Sequence, residues 1–127
     1  MILPYLFVAP SGHKGRGVYT SKNIPANTII EISPVIVLTP KERKTIEGTR
    51  LFDYIFEWGI SNKQGALGLG YVSLYNHSYD ANCNYDMDYD SLLMTITTVK
   101  PIKKGSELCI NYNAVPDDKT VVWFDKK

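Results

Sequence analysis

Apolar and polar positions alternate over short stretches of this chain and almost nowhere recur with a helical period, which predicts a mainly β domain. Residues 5–9 form an apolar first strand, closed by the turn-prone run Pro10-Ser11-Gly12. Gly15-Arg16-Gly17 leads into a second strand at Val18-Tyr19. Residues 28–38 are rich in β-branched side chains and predict a strand interrupted near Pro34, because proline cannot donate to a central ladder. Residues 92–99 alternate cleanly and follow a turn, Tyr89-Asp90-Ser91, from an earlier strand at residues 84–88. Residues 108–112 predict a further short strand.

Helical signals are few. Thr39-Pro40-Lys41-Glu42 has the form of a capping box with proline at the first helical position, and Gly48 is its expected stop. Residues 53–58 are aromatic and fit a strand or a helix equally. Residues 62–70 hold three glycines and predict loop, and residues 113–127 show no period. One echo runs through the chain. Lys22-Asn23-Ile24 precedes Ile30 and Ile32 as Lys100-Pro101-Ile102 precedes Leu108 and Ile110. Both stretches read as an anchor, a turn and an alternating strand. They are either hairpins of equal length or two related β units about a pseudo-symmetric core.

Composition narrows the function classes. At 127 residues the chain predicts one domain, and 44% hydrophobic with 21% charged residues is ordinary globular material. A net charge of +1 argues against direct nucleic-acid binding, even though nine tyrosines could stack on bases. Two cysteines outside any C-x-x-C pair and two histidines are too few for a structural zinc, so no metal is expected. Two unpaired thiols suit a reducing, intracellular compartment. The apolar start lacks a basic flank, carries Pro4 and is too short to span a bilayer, so no membrane association is expected.

Four motifs in order carry a resemblance: Gly15-Arg16-Gly17-Val18, Tyr54-Ile55-Phe56, Asn76-His77-Ser78, and Glu107-Leu108-Cys109-Ile110-Asn111-Tyr112. Singly each is common; together, in this order, they resemble the SET domain of protein-lysine methyltransferases, in its compact viral and bacterial form without zinc-binding flanks. The resemblance implies a SET (β-clip-like) fold of several short curled sheets with one or two short helices. It makes residues 1–127 a single SET domain with 113–127 as the C-terminal flank. Two positions depart from the family pattern: Ser73 replaces an arginine, and Tyr79-Asp80-Ala81-Asn82 keeps only the last residue of a C-x-P-N run.

The implied activity is methyl transfer from S-adenosylmethionine to the ε-amine of a protein lysine, leaving S-adenosylhomocysteine. By the same resemblance Tyr112 is catalytic, while Gly15, Arg16, Gly17, Asn76, His77 and Trp123 hold the cofactor. Tyr54, Ile110 and Phe124 would line the lysine channel. His77 is then a binding residue and not a base. The implied partner is a lysine-containing protein or peptide such as a histone tail, with a homodimer compatible. A histone substrate would place the protein in the nucleus, a host nucleus included, and otherwise in the cytoplasm. The competing reading is a catalytically weak SET-like scaffold that binds a protein tail, motivated only by Ser73 and Ala81.

Overall fold

The computed structural model describes residues 1–12 and 15–112. Among the described residues, nine strands form two sheets. β1 (Leu6–Pro10), β2 (Arg16–Thr20), β9 (Glu107–Ile110) and β6 (Asn76–His77) make the first, in the order β1-β2-β9-β6. The second follows the order β4-β5-β3-β8-β7. It comprises β3 (Ile29–Leu38), β4 (Ile55–Trp58), β5 (Gln64–Gly68), β7 (Cys83–Asp88) and β8 (Leu93–Thr98). Its two edge strands meet through aromatic rings: Phe56 of β4 lies 5.3 Å from Tyr85 of β7, and Trp58 lies 5.0 Å from Tyr89. The sheet is therefore strongly curled, as strand twist allows.

A single core draws on both sheets. Val18, Leu108 and Ile110 come from the first; Ile30, Val35, Ala66, Met94 and Ile96 come from the second. The repeated anchors pair with each other: Ile24 and Ile102 form an isolated antiparallel bridge, each amide donating to the other's carbonyl at 2.8 Å. Both are buried. The two anchors of the sequence echo therefore meet in the fold.

The only α-helix among the described residues, α1 (Pro40–Thr45), is capped as its sequence requires. Thr39 Oγ1 accepts from the Glu42 amide at 3.1 Å, and Glu42 Oε1 accepts from the Thr39 amide at 2.9 Å. The helix ends before Gly48, whose φ of 82° closes the following turn. The ambiguous aromatic segment is both things in turn, a 3₁₀ turn (Arg50–Tyr54) that runs into β4.

Two expectations are corrected. Residues 62–70 are not loop throughout: Gln64–Gly68 is β5, paired on both sides, and only residues 62–63 and 69–70 lie outside the strand. Gly65 and Gly68 are there because neighbours crowd the strand; a Cβ on Gly68 would stand 2.6 Å from Val72. Nor does Pro34 interrupt β3. The β3–β5 ladder starts only at Val35, and the Pro34 carbonyl accepts from the Leu69 amide at 3.0 Å, so its missing donor is not needed. The irregularity falls instead between Ile29 and Glu31, where β3 bulges against β8.

Candidate active site

The two motifs that lie furthest apart in meaning lie side by side in space. β6 carries Asn76-His77 and runs parallel to β9, with Asn76 opposite Cys109 and His77 opposite Ile110. β2 pairs with the other edge of β9, which brings the glycine turn to the same place.

Glu107 ties these three strands together. Its Oε1 accepts from Ser11 Oγ at 2.8 Å and its Oε2 from Asn76 Nδ2 at 2.7 Å. Asn76 Nδ2 also donates to the Arg16 carbonyl at 3.0 Å. The two glycines have separate reasons. A Cβ on Gly17 would run into Glu107 Oε2 and stand 2.9 Å from Asn76 Nδ2, so Gly17 makes room for this junction. Gly15 has φ +81°, and no described residue comes within 4 Å of a Cβ there, so its requirement is conformational.

Tyr112 stands two residues beyond the end of β9, and three hydrogen bonds fix it. Its amide donates to His77 Nδ1 at 3.1 Å, its carbonyl accepts from Tyr85 Oη at 3.1 Å, and its hydroxyl donates to the Tyr75 carbonyl at 2.8 Å. Because His77 Nδ1 accepts, the assigned tautomer carries its proton on Nε2. Phe56 packs edge-on to the Tyr112 ring at 6.2 Å and His77 lies 5.2 Å away; Tyr79 flanks His77 at 4.3 Å.

Burial lifts the Tyr112 hydroxyl well above the ordinary tyrosine range, with smaller contributions from Cys109, Tyr85, Tyr54 and Glu107. Burial, then Glu57 and Tyr89, pushes Tyr85 up to about 12. Both phenols are neutral donors at physiological pH, and Tyr112 is not a base.

The remaining residues singled out from sequence fall as follows. Tyr54 ends the 3₁₀ turn, 37% exposed, near enough to Tyr112 to affect its titration. Ile110 is fully buried in the core. Arg16 lies exposed and contributes its carbonyl to Asn76. Trp123 and Phe124 lie outside the described residues. The two departures from the family pattern have structural occupants: Ser73 Oγ accepts from the Gly68 amide at 2.9 Å, and Ala81 is fully buried.

Sequence reasoning missed Tyr75, Tyr85 and the acid Glu31. For Tyr75 and Tyr85 no local signal exists, since their roles depend on strands that meet only on folding. Glu31 did carry one: it is the single charge in an otherwise apolar and β-branched stretch of β3, and it is fully buried.

Against this geometry, likeness to known proteins can be weighed. The chain matches the SET domain family over residues 15–113. It is 38% identical over 108 residues to a Schizosaccharomyces pombe protein named histone-lysine N-methyltransferase, H3 lysine-37 specific. That match covers 84% of this chain and 72% of the yeast protein. A Cryptococcus neoformans histone-lysine N-methyltransferase, H3 lysine-36 specific, is 33% identical over 112 residues, which is 79% of this chain and 13% of that protein.

Among solved structures, one described as a candidate histone methyltransferase of Plasmodium falciparum superposes with a TM-score of 0.67 at 29% identity, over 87% of this chain and 95% of that one. A chain of polycomb repressive complex 2 reaches 0.73 at 19% identity, over 87% and 15%, a likeness of fold alone. The chain belongs to the SET-domain family of protein-lysine methyltransferases.

Proposed function

We propose that this protein methylates lysine in a histone or similarly basic protein, using S-adenosylmethionine and reacting at Tyr112. The observation that carries the reading is the neutral Tyr112 hydroxyl, 2.8 Å from the Tyr75 carbonyl and walled by aromatic rings, beside the junction of Gly15-Arg16-Gly17 with Asn76-His77. The names of the yeast relatives support a histone substrate, and with it a nuclear location.

The chain's residues fit the cofactor on one structural count: no described residue fills the space beside the Gly15 turn, where β2, β6 and the end of β9 converge. Backbone groups of Gly15, Arg16 and Gly17, with Asn76 and the His77 backbone, would hold it. When bound, S-adenosylmethionine supplies an electrophilic methyl group on a sulfonium.

The chain's own work is orientation and exclusion of water. The Tyr112 hydroxyl and Tyr75 carbonyl form a polar corner able to orient an amine and accept weak C–H···O contacts from a polarised methyl. A lysine amine must arrive unprotonated, which at pH 7 costs roughly 4.6 kcal/mol from a pKa of about 10.4. Removal of the amine from water on binding disfavours the charged ammonium and reduces that cost. With Tyr112 and Tyr85 both held neutral, neither takes the proton.

The test is mass spectrometry of histones and basic cell proteins incubated with the protein and S-adenosylmethionine. Lysine methylation is expected, and Tyr112→Phe should lower turnover about 10²-fold while the cofactor still binds. Undiminished turnover in Tyr112→Phe removes Tyr112 from the chemistry. A folded sample that binds no S-adenosylmethionine in a calorimeter overturns the reading as a whole.

A further inference from the structure

The carbonyl that receives the Tyr112 hydroxyl belongs to a residue whose own side chain is anchored elsewhere. Tyr75 is 1% exposed, and its phenol donates to Glu31 Oε1 at 2.8 Å. The other oxygen of the same carboxylate accepts from the Tyr71 amide at 2.8 Å and from Ser33 Oγ at 2.7 Å. Glu31 thus grips both ends of the segment containing the 3₁₀ turn Val72–Leu74. That segment leads directly into Asn76-His77. The bulge between Ile29 and Glu31 accompanies this grip on β3.

Gly70 shows how closely the carboxylate is seated. A Cβ there would stand 2.6 Å from both Glu31 Oε2 and Ser33 Oγ, and its φ of +62° already favours glycine. A buried carboxylate with three donors aimed at it holds them more rigidly than any neutral acceptor of its size.

We propose that Glu31 is a positioning residue for methyl transfer: through the Tyr75 phenol it fixes the Tyr75 carbonyl, and so the direction of the Tyr112 hydroxyl. The inference rests on the placement of the reaction at Tyr112. It makes the buried acid part of the reacting geometry without touching substrate or cofactor. Loss of the link lets the carbonyl and hydroxyl drift, which lowers the rate of the chemical step and leaves cofactor affinity alone.

The experiment compares five variants of the full chain: Glu31→Gln, Tyr75→Phe, the double variant of these two, Ser33→Ala and Tyr112→Phe. Single-turnover methylation is measured at saturating S-adenosylmethionine and substrate, with cofactor affinity by calorimetry and folding by circular dichroism. Glu31→Gln and Tyr75→Phe should each slow transfer about tenfold at unchanged cofactor affinity, because small misplacements of reacting groups are costly. The double variant should be no slower than the worse single one.

Ser33→Ala loosens the same carboxylate without touching Tyr75, and should retain the rate. If Glu31→Gln does not fold, Tyr75→Phe carries the test, since it keeps the ring and removes only the link. A folded Tyr75→Phe with wild-type rate overturns the proposal, and so does a Ser33→Ala as slow as Tyr75→Phe. Should Tyr112→Phe itself keep full rate, the catalytic placement fails first, and this inference fails with it.

Discussion

Replacing Gly17 by alanine is the sharpest probe of how the cofactor-side junction is built. The backbone offers no objection, because Gly17 is not among the glycines of positive φ. The objection is Glu107: the new methyl would run into its Oε2 and crowd Asn76 Nδ2 at 2.9 Å. Moving the carboxylate aside breaks its bonds from Ser11 Oγ and Asn76 Nδ2. Hydrogen bonds to a charged group contribute about 1.5–3 kcal/mol each, so losing both costs about 3 kcal/mol at the lower end, the fitting end for a half-buried acid.

Glu107→Ala should cost a similar amount, because it removes the same two bonds. In that background Gly17→Ala has space for its methyl, and its added cost should shrink to about 1 kcal/mol or less, from Asn76 alone. A double-mutant cycle by urea unfolding at constant m therefore predicts a coupling of about 2 kcal/mol between two positions far apart in sequence. Calorimetry on Gly17→Ala should show weakened S-adenosylmethionine binding. Strictly additive costs would refute the reasoning, because they would mean that Gly17 and Glu107 do not share space.

Other expectations follow from burial and capping. Burial, with Cys109 adding to it, pushes the Cys83 thiol up to about 12, and burial also lifts Tyr75, Tyr85 and Tyr112. Unfolded, the thiol ionises near 9.0 and the phenols near 10.0, so above those values the unfolded chain holds fewer protons than the folded one. Stability should stay level on this account up to the unfolded cysteine value. It should then fall with rising pH by about 1.4 kcal/mol per pH unit for each group that ionises only on unfolding. Urea midpoints measured across that range check it, and a midpoint level up to about pH 11 contradicts it. Thr39→Ala should cost about 1 kcal/mol by opening the capping box and leave the methylation rate unchanged, since α1 buries none of its residues.

Much of the architecture was legible because local chemistry decides it. The capping box at Thr39-Pro40-Lys41-Glu42 needs only adjacent residues, and the alternation at residues 92–99 reports a strand with one face inward. The aromatic segment at residues 53–58 was not legible, since a 3₁₀ turn running into a strand has no single period. The Gly65 and Gly68 strand was missed for the opposite reason: glycine usually marks a loop, and only the neighbours Ile55 and Val72 show how little room a side chain has there.

The site divides along the same line. From sequence alone came the family, the enzyme class and the motif residues, because the order of short motifs survives without knowledge of contacts. Only tertiary structure could lay Asn76-His77 in parallel beside β9, bind Asn76 to Glu107, and deliver the Tyr75 carbonyl to the Tyr112 hydroxyl. A hydrogen bond between distant segments leaves no local signature in either one. Glu31 stands between the two cases: a lone charge within an apolar strand is a signal that went unread, and the fold alone could say that its partner was Tyr75.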